Sequence, residues 1–306
     1  MARLSSKGVE HPPPLSPPSL DLHQIMAACK QVHASFKYLA RDAKYLTDKP
    51  YTCLVDLSDV PGAAATNIVS DSVSDIPVTD VRDNFTKLSL DQHGFEVLDV
   101  GRGFSIGDFE DQAWIKRVYY PFICKLLVDK LGAKKAHVFE HQLRYRHPGF
   151  GDQSLRGAPH FDPPLNQVHD DQTQEAASAR FARHWPDYSE DMWSDRLQII
   201  NVWRPLVPTI EEWPLGLCDS RSVDSERDLR ASDIVKPDYV GESYVSTYNP
   251  KHAWYYLSKQ EYHEAWMIKL FDSKPGVANT VLHASFDIGQ GGRARKSCET
   301  RVLVRF

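Results

Sequence analysis

The sequence lacks the patterns that mark proteins which bind nucleic acid or span membranes. Lys and Arg number 36 against 41 Asp and Glu, a net charge of −5, and no basic run suggests a nucleic-acid or lipid contact. No apolar run reaches the length of a membrane span or of a signal-peptide core. The sequence therefore predicts a cytoplasmic protein with neither nucleic acid nor membrane as a partner.

Two further absences narrow the class of protein. The five cysteines include no Cys-x-x-Cys pair, and a chain of 306 residues can bury a core without disulfides, so we expect reduced thiols. No Gly-x-Gly-x-x-Gly follows a predicted strand, and strands do not alternate with helices. A dinucleotide-binding Rossmann sheet is therefore disfavoured.

Local patterns divide the chain into a tail and one domain. Prolines in HPPPLSPPSL remove backbone donors, so residues 1–20 are predicted to be a disordered, Pro-rich tail. Residues 21–306 are predicted to form a single domain. Apolar residues at helical spacing predict a helix from about Leu22 to Tyr45, and a second helical segment ends at Gly132. The apolar residues that predict the first helix are Ile25, Cys29, Val32, Phe36 and Leu39.

The second half of the chain changes character. Short β-rich runs such as RLQIINVWRPL and CETRVLVRF recur between clusters of Pro, Gly, Asn and Asp. Many short strands separated by turns are typical of an antiparallel barrel or jelly-roll. The predicted fold class is therefore mainly β with α decoration, in which N-terminal helices flank a β core.

A pair of His-x-Asp motifs raises the question of a metal site. They are His160-Phe161-Asp162 and His169-Asp170-Asp171, and a motif this short also arises by chance. A 2-His-1-carboxylate iron site needs two side chains on one strand face and a second His far along the chain. Alternation gives His169 and Asp171 the same face. His283, in NTVLHASFD, is the best candidate for the distant ligand.

The last predicted strand carries residues that suit a dicarboxylate. Alternation places Arg295, Ser297, Glu299 and Arg301 on one face, and a guanidinium beside a hydroxyl can grip one carboxylate. This is what the far carboxylate of 2-oxoglutarate needs when its near end chelates iron. Arg301 is the main rival for this role.

Two residues of INVWRPL are further candidates for cofactor contact. Asn201 shares a strand face with Trp203, so its side chain is a candidate for contact with cofactor or substrate. Arg204 is an alternative carboxylate binder. The sequence does not choose among Arg295, Arg301 and Arg204.

From about Phe36 to Phe306, the sequence resembles a family of microbial, largely fungal oxygenases. This hydroxylase/desaturase group includes the gibberellin desaturase, the aspergillic acid hydroxylase and a relative that 7-alpha-hydroxylates cephalosporins. The resemblance is carried by VHDDQT, QIINVWRPL, PLGLCDSRSV, YNPKHAWYY, IKLFDS, HASFD and RKSCETRVLV.

The resemblance implies a fold, cofactors and ligands. The fold is a double-stranded β-helix, jelly-roll or cupin-like, and the cofactors are iron(II) and 2-oxoglutarate, with dioxygen as co-substrate. The implied iron ligands are His169, Asp171 and His283. Arg295 and Ser297 are implied to bind 2-oxoglutarate.

The resemblance also separates the two His-x-Asp copies. The family pattern runs Val-His-x-Asp-Gln/Asn-Thr into a helix, which matches Val168 to Thr173. In the other copy Pro163 and Pro164 follow the Asp and would interrupt a central strand, so we expect that copy to be loop. One residue departs from the pattern: Asp170 stands where Val or Ile is usual, and we expect it to face solvent rather than to bond a neighbour.

The expected function is therefore an iron(II)- and 2-oxoglutarate-dependent dioxygenase. It would hydroxylate, desaturate or rearrange a hydrophobic secondary metabolite, with a terpenoid or meroterpenoid as the expected class. Two alternatives are a non-catalytic paralogue that serves as a subunit of such an enzyme, and a cupin-like metal isomerase or hydrolase. The chain is also expected to be able to form a homo- or heterodimer.

Overall fold

The computed structural model describes residues 30–146 and 161–306. Within them lie fifteen strands: β1 (Gln31–Leu39), β2 (Tyr51–Cys53), β3 (Ser70–Asp80), β4 (Phe95–Asp99), β5 (Lys135–Tyr145), β6 (Phe161–Asp162), β7 (His169–Asp170), β8 (Leu197–Pro205), β9 (Leu215–Cys218), β10 (Leu229–Lys236), β11 (Tyr239–Ser246), β12 (Trp254–Tyr256), β13 (Glu264–Asp272), β14 (His283–Ser285) and β15 (Lys296–Arg305). The predicted tail, residues 1–20, lies outside the described residues.

Helices are fewer and shorter than strands. The α-helices are α1 (Gln112–Trp114), α2 (Tyr120–Leu131), α3 (Gln174–His184) and α4 (Ser225–Asp228). A π-helical turn, Ile115–Tyr119, joins the first two. Short 3-10 turns occupy Ala43–Leu46, Phe85–Lys87, Ile106–Glu110, Glu190–Ser194 and Ser220–Ser222. Among the described residues, no helix is long and apolar enough to cross a bilayer.

The strands form two sheets that face each other. The larger has the order β1-β3-β12-β9-β14-β7-β11-β10-β2 and the smaller β4-β13-β8-β15-β5-β6, with mostly antiparallel pairs. Side chains from both sheets, such as Trp203, Trp266 and Leu217, fill the space between them. This is the mainly β, jelly-roll arrangement that the sequence predicts.

The outer face of each sheet is covered by a separate apolar cluster. On the smaller sheet, Val202 and Met267 pack beneath Tyr119 and Ile123 of the helical segment. That segment ends as predicted, at Gly132, whose φ of 68° is the left-handed conformation that glycine adopts most readily. The longest described helix of the first half, Tyr120–Leu131, thus lies near the end of that half and not at its N-terminal end.

The predicted helix from Leu22 to Tyr45 is wrong where it can be compared. Residues 22–29 lie outside the described residues, and Gln31–Leu39 is strand β1, paired antiparallel with β3. Ala34, Phe36 and Tyr38 are buried in alternation. The residues that predict the helix follow a spacing of three and four, but Ala34, Phe36 and Tyr38 alternate in the same segment, and long-range pairing with β3 favoured the strand.

A buried ion network ties the start of β8 to the end of β13. Asp272 accepts from Arg196 at 2.6 Å, from Gln198 at 2.7 Å and from Lys269 at 2.6 Å. The Lys269 side chain is fully buried and also donates to Asp91 at 2.6 Å. Because buried charges are costly without partners, this lysine depends on its carboxylates.

Replacing Asp272 with asparagine is expected to destabilise the fold by about 3 kcal/mol at neutral pH, because it leaves Lys269 short of a counter-charge. Burial would raise the pKa of Asp272, but its bonds with Arg196 and Lys269 outweigh burial and lower it. The stabilisation that Asp272 contributes is therefore complete above the ordinary carboxyl pKa, and it is lost as pH falls through the lowered pKa of Asp272.

Urea unfolding from pH 7 downward measures this effect. The gap in unfolding free energy between the wild type and Asp272→Asn should hold near neutrality and narrow below about pH 4. The matched control is Asp91→Asn. The Asp91 side chain is 41% exposed, so this variant should lower the unfolding free energy less than Asp272→Asn does. A gap that widened in acid would contradict the prediction.

Candidate active site

Three of the predicted site residues meet between the two sheets. His169 and His283 are register partners on the adjacent strands β7 and β14, and their ring centroids lie 4.3 Å apart. Asp171 directly follows β7, with Oδ1 3.7 Å from His169 Nε2 and Oδ2 3.8 Å from His283 Nε2. One ligand atom from each residue lies within 4.8 Å of the others.

The backbone fixes which nitrogen each imidazole presents. His169 Nδ1 lies 2.7 Å from the Gln167 carbonyl and His283 Nδ1 lies 2.9 Å from the Val281 carbonyl. A carbonyl oxygen only accepts, so each Nδ1 carries the proton and each Nε2 keeps its lone pair. Burial, with His283 adding to it, lowers the pKa of His169 to about 3, so this ring is neutral at pH 7. Two imidazoles that present Nε2 beside a carboxylate are a donor set that suits iron(II).

Asp171 is held on its other side by polar groups of the smaller sheet. Arg301 donates to both carboxylate oxygens, from Nε at 3.1 Å and from Nη2 at 3.0 Å. Asn201 donates from Nδ2 to Oδ2 at 3.4 Å. Burial would raise the pKa of Asp171, but Arg301 and the two histidines outweigh it and hold this pKa well below its usual range. Arg301, predicted as a rival 2-oxoglutarate binder, is thus engaged with the carboxylate of the triad.

Asp170 does not face solvent, so that prediction is wrong. Its side chain is fully buried on the opposite face of β7, and its Oδ2 accepts from the Val281 backbone N–H at 3.2 Å. Its Oδ1 has no partner among the described residues. Burial, with the neighbouring Asp171, raises the pKa of Asp170 well above its ordinary value. Flanking strands cover this face of β7, and spacing alone does not reveal such cover.

Arg295 directly precedes β15 and reaches the interior beside Ser285, which lies two residues along β14 from His283. Its guanidinium donates to the Trp213 carbonyl at 2.9 Å, to Ser297 Oγ at 3.2 Å and to Ser285 Oγ. It is 1% exposed and lies 5.0 Å above the Trp203 ring. Burial, reinforced by Arg144, lowers the pKa of Arg295 to about 9.

This guanidinium lacks an anion. Within residues 30–146 and 161–306, no carboxylate forms an ion pair with Arg295, and its Nε has no hydrogen-bond partner. A buried cation without a counter-charge is costly, so an incoming carboxylate would be bound strongly. The arrangement therefore fits the far carboxylate of 2-oxoglutarate.

Arg204 lies outside this space, which corrects the prediction that it is an alternative carboxylate binder. It points to the outer face of β8, where Val202 also packs. Its guanidinium carbon is 5.2 Å from the Phe109 ring centroid and 4.6 Å from that of Tyr262, and Nη2 donates to the Tyr262 carbonyl at 2.9 Å. Arg204 and Asn201 differ by an odd number of positions, so they point in opposite directions.

Sequence reasoning missed several polar residues of the site. Glu140 and Arg144 on β5 are register partners of Arg301 and Ser297. Arg301 donates to Glu140 at 2.5 Å, and Arg144 donates to Glu299 at 3.3 Å. A sequence signal for them exists: Glu140, Gln142 and Arg144 alternate along HVFEHQLRY, and alternating polar residues are unusual for a strand face turned to a core.

Asp162 of the second His-x-Asp copy does not join the triad. Asp162 ends the two-residue edge strand β6 of the smaller sheet and accepts from Gln142 Nε2. His160 lies outside the described residues. The metal-type cluster found among the described residues consists of His169, Asp171 and His283.

Comparisons with known proteins agree on one family. A family model described as an oxidoreductase/YMDC permease-like domain matches residues 36–305. The hydroxylase/desaturase efuI of Hormonema carpetanum is 30% identical over 249 residues, 75% of this chain and 82% of that protein. The hydroxylase/desaturase CTB9 of Cercospora beticola is 31% identical over 247 residues, 75% of each chain. The alpha-ketoglutarate-dependent dioxygenase tstK of Talaromyces stipitatus is 28% identical over 75% of this chain and 84% of that protein.

A solved structure supports the fold. The iron and alpha-ketoglutarate-dependent endoperoxidase NvfI superposes with a TM-score of 0.77 at 21% identity, over 90% of this chain and 98% of that chain. The two facing sheets are accordingly a double-stranded β-helix, as the resemblance implied. The chain belongs to the fungal hydroxylase/desaturase family and is an iron(II)- and 2-oxoglutarate-dependent dioxygenase.

Proposed function

We propose that His169, Asp171 and His283 hold the iron and that Arg295, with Ser297, binds the far carboxylate of 2-oxoglutarate. The observation that carries the proposal is the combination of two features: the Nε2 atoms of both histidines beside Asp171, and a buried guanidinium that forms no ion pair with a carboxylate of the described residues. Iron(II) with 2-oxoglutarate and dioxygen supplies the oxidising power to remove hydrogen from an unactivated carbon. The protein's own residues orient the cofactor and the substrate.

Each remaining residue has a role in this scheme. The Gln167 and Val281 carbonyls fix the tautomers of the two imidazoles, and Ser285 and the Trp213 carbonyl hold Arg295 in place. Trp203 lies beneath the guanidinium and keeps water from its face. These contacts pre-organise the site before 2-oxoglutarate arrives.

We further propose that the substrate is a neutral, hydrophobic secondary metabolite of the terpenoid or meroterpenoid class. Around the triad, the charges of three guanidinium groups and three carboxylates sum to zero, although none of these carboxylates pairs with Arg295: the groups are Arg144, Arg295, Arg301, Asp171, Glu140 and Glu299. Iron(II) and the 2-oxoglutarate dianion also offset one another. A charged substrate would add an unpaired charge to a buried site, which is costly.

Anaerobic titration of the protein with iron(II) and 2-oxoglutarate tests the proposal. We expect the weak visible charge-transfer absorption of the chelate, followed by succinate release when air and a pathway intermediate are added. Folded protein without the absorption band would count against the site. Substrate turnover without succinate would favour the metal isomerase or hydrolase. A chain needed only beside an active partner would favour the non-catalytic subunit.

We also propose that residues 21–306 form a single domain and that the chain can form a homo- or heterodimer. Strands from both described segments share the smaller sheet, which supports one domain across residues 21–306. Homo- or heterodimer formation is tested by light scattering on the purified chain.

A further inference from the structure

Arg301 lies at the centre of a set of carboxylates. Besides its two bonds to Asp171, it donates from Nη2 to Glu299 at 2.9 Å and from Nη1 to Glu140 at 2.5 Å. All three guanidinium nitrogens are therefore used. The Arg301 side chain is only 11% exposed, so these bonds are made largely out of water.

Three neighbouring strands fix this arrangement. Arg301 on β15 is the register partner of Asn201 on β8 and of Glu140 on β5, so all three side chains stand in one row across the smaller sheet. The row faces Asp171, which belongs to the other sheet. Long ladders of backbone hydrogen bonds set the register, so the positions of these three side chains are fixed relative to Asp171.

We infer that Arg301 is a positioning residue for the iron ligand Asp171 and does not bind 2-oxoglutarate. The inference rests on the proposed function, in which Asp171 binds the metal. A planar guanidinium that donates to both oxygens fixes the rotation of the carboxylate as well as its place. Glu140 and Glu299 in turn hold the guanidinium, so the ligand is oriented towards His169 and His283 before metal binds.

Charge favours this role over cofactor binding. Arg301 already faces three carboxylates, and a carboxylate of 2-oxoglutarate would be a fourth anion around one cation. Arg295 forms no carboxylate pair in the described part of the chain. The two arginines point to the same side, and their partners indicate different roles. Arg301 positions the metal ligand, and Arg295 binds the cofactor.

The test separates metal affinity from cofactor affinity in the purified, full-length protein. Anaerobic titration with iron(II) alone gives the metal dissociation constant, and titration with 2-oxoglutarate at saturating iron gives that of the cofactor. Arg301→Gln should weaken iron binding about 10- to 100-fold, the usual effect of losing a partner of a metal ligand. Its 2-oxoglutarate affinity should stay within about threefold of wild type. Arg301→Lys should recover part of the iron affinity, because an ammonium keeps the charge but not the planar double contact.

Arg295→Gln is the matched comparison and should show the reverse pattern. If Arg301→Gln fails to fold, Glu140→Gln removes one of the groups that hold Arg301 and should weaken iron binding several-fold. Weakened 2-oxoglutarate binding with unchanged iron affinity in Arg301→Gln would overturn the inference, as would no change in either constant. Wild-type protein that binds no iron would instead overturn the proposed function.

Discussion

Replacing His169 with alanine should abolish tight iron binding and lower succinate release by at least about 1000-fold. The change removes one of three ligand atoms that lie within 4.8 Å of one another, and the remaining two cannot hold the ion in a buried site. A 1000-fold loss corresponds to about 4 kcal/mol of transition-state stabilisation. The readouts are the anaerobic iron titration and succinate formation per minute.

Asp162→Ala is the matched control, since Asp162 belongs to the other His-x-Asp motif and lies at a sheet edge. It should retain wild-type iron affinity and succinate release. Persistence of the charge-transfer absorption in His169→Ala, or its loss in Asp162→Ala, would mean that the wrong copy has been assigned to the metal.

Replacing Arg295 with glutamine should raise the KM for 2-oxoglutarate about 100-fold. Truncating one partner of a buried, hydrogen-bonded charge pair costs about 2–5 kcal/mol, and each 1.4 kcal/mol is tenfold in affinity. At saturating 2-oxoglutarate much of kcat should return, because the iron ligands are untouched. Steady-state kinetics over a wide range of 2-oxoglutarate concentration measures both constants.

Two further variants test whether the rise in KM is specific to Arg295. Ser297→Ala removes a single hydroxyl donor and should raise the same KM only about fivefold. Arg204→Lys alters an arginine on the outer face of β8 and should leave the KM unchanged. A large rise in KM for Arg204→Lys with little change for Arg295→Gln would reverse the assignment of the cofactor site.

The strands could be predicted from the sequence to a useful extent. Runs such as RLQIINVWRPL and CETRVLVRF became β8 and β15, and helix α2 ended at Gly132 as expected. The failure at Gln31–Leu39 shows the limit of this approach. Five apolar residues have helical spacing while other residues of the same segment alternate, and the partner that decides between the two, β3, lies more than thirty positions downstream.

Burial was harder to predict than alternation. A period of two groups Arg295 with Arg301 on one face, but Arg204 is still predicted as a cofactor candidate although the same period turns it away from Asn201. Asp170 is the counter-example. Alternation correctly turned it away from His169, but neighbouring strands bury it, so the solvent that the prediction assumed is absent.

The sequence by itself determined the residue types, their order along the chain and the face of the strand on which each lies. Those features are local, because they depend on the backbone period and on the chemistry of each side chain. Only the tertiary structure decided which arginine meets which carboxylate. Arg301 and Asp171 are 130 positions apart and belong to different sheets, so their contact depends on strand register and sheet packing. Two inward arginines of one strand look alike in sequence, and their neighbours on other strands give them different partners.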